Sequence, residues 1–149
     1  MPPDPIQPWP VVRRGDAVFP VRTLQHLLRS RHRIVVVDGV FGPATEAAVK
    51  SFQRSAGLVD DGVVGPSTWP KLVRQVKRGS RGSAVKGVQE VITFHDQSDG
   101  EGPPVVIDGV FGPRTDAWVR GFQTAVGIRS DGVVGPLTWR ALVSGMLSG

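Results

Sequence analysis

Cysteine is absent from the 149-residue chain, which excludes disulfide bonds, thiolate metal sites and a cysteine nucleophile. Long apolar runs are also absent. The longest, Ile34–Val37, has the length of a strand and falls far short of the roughly 18 residues that span a bilayer. The N-terminus, MPPDPIQPWP, has neither the basic nor the apolar segment of a secretory signal. We therefore expect no membrane insertion and no cleaved leader.

Groups suited to catalysis are scarce. The three histidines, His26, His32 and His95, lack zinc-binding spacing, and no G-x-S-x-G nucleophile motif occurs. We expect His26 and His32 to be exposed, and His95 to lie in a loop. Near it are further acidic residues that could hold a cation or simply be solvated: Asp96, Asp99 and Glu101. No glutamate has the context of a buried general acid. The sequence predicts that the protein is not an enzyme and uses no metal or cofactor.

The charge is moderately basic, with 18 Lys and Arg against 13 Asp and Glu and a net charge of +5. Such a surplus favours polyanions without selecting one of them, and it is equally typical of a solvated basic surface. No motif that enters a nucleic-acid groove is present. We therefore predict no nucleic-acid partner.

One sequence unit is written twice. VVRRG at 11–15 aligns with QVKRG at 75–79, an offset of 64 residues. After the segment HDQSDGEGPP the offset becomes 70, and DGVFGPATEAAVKSFQ then pairs with DGVFGPRTDAWVRGFQ. DDGVVGPSTWPKLV likewise pairs with SDGVVGPLTWRALV. The sequence predicts a Pro-rich extended tail over 1–10 and two tandem domains, 11–76 and 77–149.

The hexapeptides DGVFGP and DGVVGP each occur twice in the chain, and their residue types indicate a structural role. Asp-Gly favours a turn, and Gly-Pro places glycine at the N-cap and proline at the first helical position. A threonine follows two residues later, where its hydroxyl could accept a first-turn N–H. Each hexapeptide is thus predicted to turn the chain and begin a helix.

Apolar periodicity predicts three helices per copy, and hence an all-α fold of two tandem three-helix domains with short β-like runs at VVVDG and VVIDG. The second helix of each copy should end at Gly57 or Gly127 in a Schellman motif. Pro20 is expected at the first position of helix one. Pro70 should kink or delay the third helix of copy one, where copy two has Arg140.

These motifs, from G-S-x-G-x-x-V-x-x-V-Q through D-G-V-F-G-P-x-T-x-x-x-V-x-x-F-Q to G-[LI]-x-x-D-G-V-V-G-P-x-T-W-x-x-L, resemble the peptidoglycan-binding domain that accompanies many bacterial and phage wall hydrolases. The resemblance covers residues 11–143 in two copies. It implies a compact three-helix fold and a peptidoglycan ligand, contacted through the stem peptide and adjoining sugar.

Ligand-binding candidates are side chains that could border a shallow groove. Gln53 and Gln123 could face it, Asp38 and Asp108 could form its rim, and Trp69, Trp118 and Trp139 could supply aromatic surface. Arginines could pair with stem-peptide carboxylates: Arg54, Arg74, Arg114 and Arg120. For each residue a structural role, in the core or on a solvated helix face, is the alternative.

Two functions remain open at this point. The first is a non-catalytic module that binds peptidoglycan, with the cell wall or the exterior as its expected location and a separate wall hydrolase as a possible partner. The second is a structural or adaptor component, of the kind found in phage tails or contractile injection systems, that contacts a protein assembly. The missing signal is compatible with cytoplasmic synthesis followed by phage-type or machine-type release.

Overall fold

The computed structural model describes residues 6–17, 19–96 and 105–146. Their regular secondary structure is helical, which confirms the all-α prediction. The six helices are α1 (Val21–Ser30), α2 (Pro43–Ser55), α3 (Trp69–Leu72), α4 (Ser83–Asp96), α5 (Pro113–Ala125) and α6 (Pro136–Val143). The first three belong to copy one and the last three to copy two, while the exact boundary between residues 76 and 77 stays a prediction.

Helices α2 and α5 begin and end as their sequences predict. Gly42 and Gly112 are the N-caps and proline follows at the first helical position. At the other end, Gly57 has φ +74°, and the Leu58 N–H donates to the Gln53 carbonyl at 2.8 Å. The Gly57 N–H donates to the carbonyl of Arg54 at 3.2 Å, which completes the Schellman pattern. Copy two repeats it, with Gly127 at φ +81°.

Two proline predictions have different outcomes. Helix α3 has 4 residues against 8 in α6, and it begins at Trp69 with Pro70 in its first turn. The delayed start is therefore confirmed, since a proline is tolerated only in the first turn. Pro20 was expected at the first helical position, but it is the N-cap of α1, and Val21 begins the helix.

The β-like runs before the hexapeptides are not strands, and they lead without regular secondary structure into the bend at each Asp-Gly. Within the described residues, antiparallel pairing is confined to three isolated bridges: Val12 with Val64, Val76 with Val134, and Arg81 with Val110. The first two bridges are equivalent in the two copies. Each joins the segment before the first helix to the second hexapeptide loop of the same copy.

The two copies share one continuous hydrophobic core, and α1 of the first packs mainly against α4 of the second. Equivalent residues meet across this contact. The Thr23 hydroxyl donates to the Gly87 carbonyl at 3.0 Å, and His26 Nε2 lies 3.1 Å from Glu90 Oε1. Contacts between equivalent residues are typical of a two-fold arrangement. Because a unit of about 65 residues buries little surface alone, sharing a core stabilises both copies.

Two fully buried tryptophans fix the segments that precede the first helices. Trp69 Nε1 donates to the Pro10 carbonyl at 2.9 Å, and Trp139 Nε1 donates to the Arg74 carbonyl at 2.7 Å. Trp9 stacks on Trp69 with 6.1 Å between ring centroids, and Ile6 is buried. Residues 6–10 have no regular secondary structure, and Ile6 and Trp9 pack against the core. Residues 1–5 of the predicted tail lie outside the described residues.

Two histidine placements differ from the prediction. His26 is 7% exposed because it lies in the α1–α4 contact, and His95 lies in the last turn of α4. His95 stacks on Trp118 at a centroid distance of 6.1 Å. The neighbouring Asp99 and Glu101 fall outside the described residues, and so the predicted acidic loop is not described.

A partly buried charge cluster crosses the α1–α4 contact. Arg22 Nη2 lies 3.1 Å from the Glu90 carboxylate, which also contacts His26. Burial acts to raise the pKa of Glu90, but the hydrogen bonds from Arg22 and His26 outweigh it and hold that pKa below its usual value. Burial lowers the pKa of His26 despite its hydrogen bond to Glu90, and the nearby charges of Arg22 and Lys86 act in the same direction as burial.

The close approach at Gly87 is testable by side-chain size. A Cβ there would lie 3.4 Å from Thr23 Cγ2 and 3.5 Å from Trp139 Cη2, which is ordinary contact. We expect Gly87→Ala to be neutral or to raise the free energy of unfolding by up to about 1 kcal/mol, since alanine favours a helix. Gly87→Leu should lower it by about 1–3 kcal/mol through overpacking. Urea unfolding measures both, and equal effects would contradict the close approach.

The histidine in the contact should make stability depend on pH. The ordinary pKa of His26, 6.5, is lowered in the folded state, so the unfolded chain binds the proton more readily. The free energy of unfolding should therefore fall as the pH drops from about 7 to about 5. His26→Gln should flatten this slope, whereas the loss due to Glu90 appears only at lower pH. Chemical unfolding across that range checks it, and an unchanged slope in the variant would contradict it.

Candidate functional site

Each of the four hexapeptide loops is held by the side-chain amide of one buried glutamine. In the loop at 61–66, Gln53 Nε2 donates to Asp61 Oδ1 at 3.1 Å and to the Val63 carbonyl at 2.9 Å. Its Oε1 accepts the Gly62 N–H at 3.0 Å. The same set of contacts recurs in the other three loops, with these pairs of glutamine and aspartate: Gln25 with Asp38, Gln89 with Asp108, and Gln123 with Asp131.

The threonine that follows each Gly-Pro serves this glutamine and does not cap a helix, so the predicted role of its hydroxyl is wrong. Gln53 Nε2 donates to Thr68 Oγ1 at 3.0 Å, and Gln123 Nε2 donates to Thr138 Oγ1 at 3.1 Å. Thr45 and Thr115 accept in the same way from the glutamines of their loops. Helices α2, α5 and α6 have no side-chain hydrogen bond at their N-caps.

The aspartate of each hexapeptide closes a local turn. Asp108 Oδ1 accepts the Val110 N–H at 2.9 Å and the amide of Gln89 at 3.1 Å. The backbone N–H of Val110 and then the Gln89 amide hold the pKa of Asp108 below its usual value. Hydrogen bonds from the Val40 N–H and Gln25 have the same effect on the pKa of Asp38. The glycine beside each aspartate has φ between +73° and +78°, which favours glycine.

Four predicted groove residues lie in the core. Gln53 and Gln123 are buried because their amides hold loops, so the prediction that they face a groove is wrong. Trp69 and Trp139 are also buried, so they offer no aromatic surface in this structure. Trp118 is half-buried and stacks on Phe122 at 5.2 Å between centroids. Their roles are therefore to position the loops and close the core.

Two open grooves lie beside hexapeptide loops, one beside the first loop of copy two and the other beside the second loop of copy one, so they are not equivalent in the repeat. In copy two, a groove of about 330 Å³ has Val106 and Asp108 on one side and Arg114 at the start of α5. In copy one, a groove of about 500 Å³ has Val59 and Asp61 in its lining. Val59 and Val106 are both largely exposed. Each groove thus places an exposed valine beside an aspartate carboxylate.

The remaining predicted site residues are distributed unevenly. Asp108 and Arg114 come together in the copy-two groove, and Ala44 occupies the position of Arg114 in copy one. Asp38 is exposed at the rim of its own loop. Arg54 lies near the copy-one groove but pairs with Asp60 at 2.7 Å. Other arginines are placed elsewhere: Arg120 pairs with Asp116, and Arg74 lies between the copies.

The sequence analysis did not predict the roles of Gln25 and Gln89, which correspond to each other at the repeat offset of 64 residues. Their signal is a glutamine in the helix before every hexapeptide. This glutamine precedes the aspartate of the hexapeptide by 13 and 19 residues in the two DGVFGP loops and by 8 residues in both DGVVGP loops. The unequal separations hide this pattern, because the first loop of each copy carries extra residues before its aspartate.

The two grooves combine apolar and charged side chains. Among the described residues, no group of three or more His, Cys, Asp or Glu side chains could hold a metal ion. No helix in the described part of the chain is long and apolar enough to cross a membrane. Valine, carboxylate and guanidinium groups together suit a small polar ligand with apolar substituents, such as a short peptide.

The family described as "Putative peptidoglycan binding domain" matches residues 20–72 and 81–142. Since these ranges cover most of the chain, the protein belongs to this family, in two copies. The tandem arrangement predicted from the repeat and the resemblance are both confirmed by this match.

Curated relatives include "Zinc D-Ala-D-Ala carboxypeptidase" of Streptomyces albus G, 33% identical over 68% of this chain and 38% of its own. "Probable N-acetylmuramoyl-L-alanine amidase" of Bacillus licheniformis is 31% identical over 72% of this chain and 36% of its own. This chain therefore spans just over a third of the length of these relatives. A Burkholderia AP3 phage endolysin structure is 32% identical, covering 60% of this chain and 34% of its own, with a TM-score of 0.42.

The buried glutamines generate a stability prediction. Gln123→Ala removes the acceptor of the Gly132 N–H and the donor to Thr138, and leaves both groups buried. We expect the free energy of unfolding to fall by about 2–4 kcal/mol, since unsatisfied buried polar groups are costly. The exposed Gln75 provides the control, and Gln75→Ala should change it by less than about 0.5 kcal/mol. Equal effects in urea unfolding would refute the role of Gln123.

Proposed function

We propose that this chain is a non-catalytic module that binds peptidoglycan through its peptides and adjoining sugars, using the grooves beside the hexapeptide loops. The observation that carries this proposal is the copy-two groove, which joins an exposed Val106, the carboxylate of Asp108 and the guanidinium of Arg114. Both copies belong to a peptidoglycan-binding family, and this membership is the reason for proposing peptidoglycan as the ligand.

The groups in this groove suit the peptide part of the polymer. Asp108 is exposed, and its turn uses Oδ1, so its carboxylate can also accept hydrogen bonds from ligand N–H groups. Arg114 is exposed and can pair with a ligand carboxylate. Val106 offers apolar area for small side chains such as that of alanine.

We further propose that the module serves a wall hydrolase, in the same polypeptide or as a separate one. The support is that the two curated relatives named above are a carboxypeptidase and an amidase, and both are much longer than the part they share with this chain. In this arrangement the module holds the enzyme on its polymer. The catalytic groups belong to the partner.

Binding to purified sacculi tests the proposal, with Arg114→Ala as the decisive variant because copy one naturally has Ala44 there. The wild-type protein should sediment with sacculi and remain bound at about 0.3 M salt, which screens exposed charges. Arg114→Ala should weaken binding roughly fivefold, as expected for one exposed charge-assisted hydrogen bond. Sacculus turbidity should not fall.

The matched control is Arg129→Ala, which removes the same charge from another exposed site. It should leave the dissociation constant within about twofold of wild type. Equal weakening in both variants would reduce the binding to general charge attraction. A fall in turbidity would overturn the non-catalytic assignment, and failure of the wild type to sediment would overturn peptidoglycan binding.

A further inference from the structure

A third groove lies between the two copies, and neither copy alone can form it. It has a volume of about 640 Å³ and is lined by the end of α1, the connecting segment and the beginning of α4. We call it the linker groove, and its lining comprises Ser30, Arg31, residues 73–76 and residues 80–84. It is separate from the grooves beside the hexapeptide loops.

The linker groove collects positive charge without a neutralising carboxylate. Arg31, Arg74 and Arg81 all line it, and no aspartate or glutamate does. None of the three takes part in an ion pair with any described residue, whereas five other arginine and lysine side chains do: Arg14, Arg22, Lys50, Arg54 and Arg120. The lining of the groove thus includes three arginines and no carboxylate that would balance their charge.

Two of these guanidinium groups are close enough to affect each other. Arg31 is half-buried, and its Nε and Nη2 donate to three carbonyls at the end of α3. Burial lowers its pKa, and the charge of Arg74 lowers it further. Arg74 Nε donates to the Ser30 carbonyl at 3.2 Å, which places that guanidinium beside the end of α1. An anion bound between two such groups would reduce the Coulomb repulsion between them.

Further donors lie at the beginning of α4, on the same groove. The Gly82 carbonyl accepts the Lys86 N–H at 3.2 Å and so begins the helix. The backbone N–H groups of residues 83–85 have no backbone acceptor within the described part of the chain. Ser83 and Ala84 line the groove. These amides add hydrogen-bond donors to the guanidinium groups.

The opposite end of the α1–α4 contact has different chemistry. Ser30 corresponds to Phe94 and Ser83 to Phe19 at the offset of 64 residues. Phe19 and Phe94 stack with 4.7 Å between centroids, and so aromatic rings occupy the place that corresponds to the linker groove. The polar character of the linker groove is therefore specific to one end and does not follow from the repeat.

We propose that the linker groove binds a carboxylate of the peptidoglycan peptide, held by Arg74 and Arg81 with Arg31 behind them. Guanidinium groups bind carboxylates through planar, paired hydrogen bonds. The choice of a carboxylate rests on the proposed function, because the peptides of peptidoglycan carry this group. The groove thereby gives the tandem chain a contact that a single copy lacks.

The test compares two double variants that remove the same charge. Arg74→Gln with Arg81→Gln alters the groove, while Arg31 is kept because it holds the end of α3. Arg13→Gln with Arg129→Gln, both at exposed positions outside it, is the control. The groove variant should bind sacculi about tenfold more weakly, and the control should stay within about twofold. Equal affinities of the two variants would overturn the proposal.

Treated sacculi identify the anion. When the carboxylates of the sacculi are converted to amides, the groove variant and the wild type should bind them with equal affinity. When phosphate polymers are extracted from the sacculi with acid, the difference in affinity should remain. Loss of the difference on acid extraction alone would overturn the carboxylate assignment.

A small probe tests the groove independently of the polymer. N-acetylalanine, added at constant ionic strength, should shift the backbone amide NMR signals of residues 81–85 in the wild type and not in the groove variant. This result would support a carboxylate site in the linker groove even if the protein did not bind sacculi. Failure to bind sacculi would contradict only the proposed function. Absence of shifts at these residues would overturn the groove.

Discussion

The structure depends on one repeated interaction, the amide of a buried glutamine that satisfies the backbone of a hexapeptide loop. A tight turn leaves N–H and carbonyl groups that must be paired when it is pressed against a core. A carboxamide has both a donor and an acceptor, so Gln53 and Gln123 can satisfy both kinds of group at once. The threonine after Gly-Pro adds a third acceptor beside the aspartate and the valine carbonyl, and the two N–H bonds of the amide are shared among the three.

The same interaction explains what could be predicted from the sequence. Helix positions, the Schellman endings and the duplication follow from periodicity and local turn chemistry, which neighbouring residues determine. The burial of Gln53 and Gln123 could not be predicted in this way, because a polar residue is buried only when distant groups pair with it. The residues expected to face the ligand were chosen for their chemistry. In the structure the amides of Gln53 and Gln123 and the indoles of Trp69 and Trp139 are buried, so the charged side chains at the loop edges are the candidates that remain accessible.

A second class of prediction failed because it concerned contacts between the copies. His26 lies on a helix face that a single copy would expose, and only α4 covers it. The sequence of one copy gives no signal for that contact. Small residues at the crossing, Thr23 and Gly87, allow close approach of the helices, and the charge cluster of Arg22 and Glu90 lies beside it. The contact combines close packing with a specific polar pair.

Joining the copies through a packed contact has a consequence for binding to a polymer. Two sites on a flexible linker gain avidity only to the extent that the linker allows both to engage together. Here the copies share one core, so their loop grooves are held at a fixed separation, and less conformational entropy is lost when both engage. The copies are also not interchangeable, since Arg114 faces one groove and Ala44 takes its place in the other copy. Under the proposed function, these differences between the copies would let one surface discriminate between polymers through the spacing of their groups as well as through their chemistry.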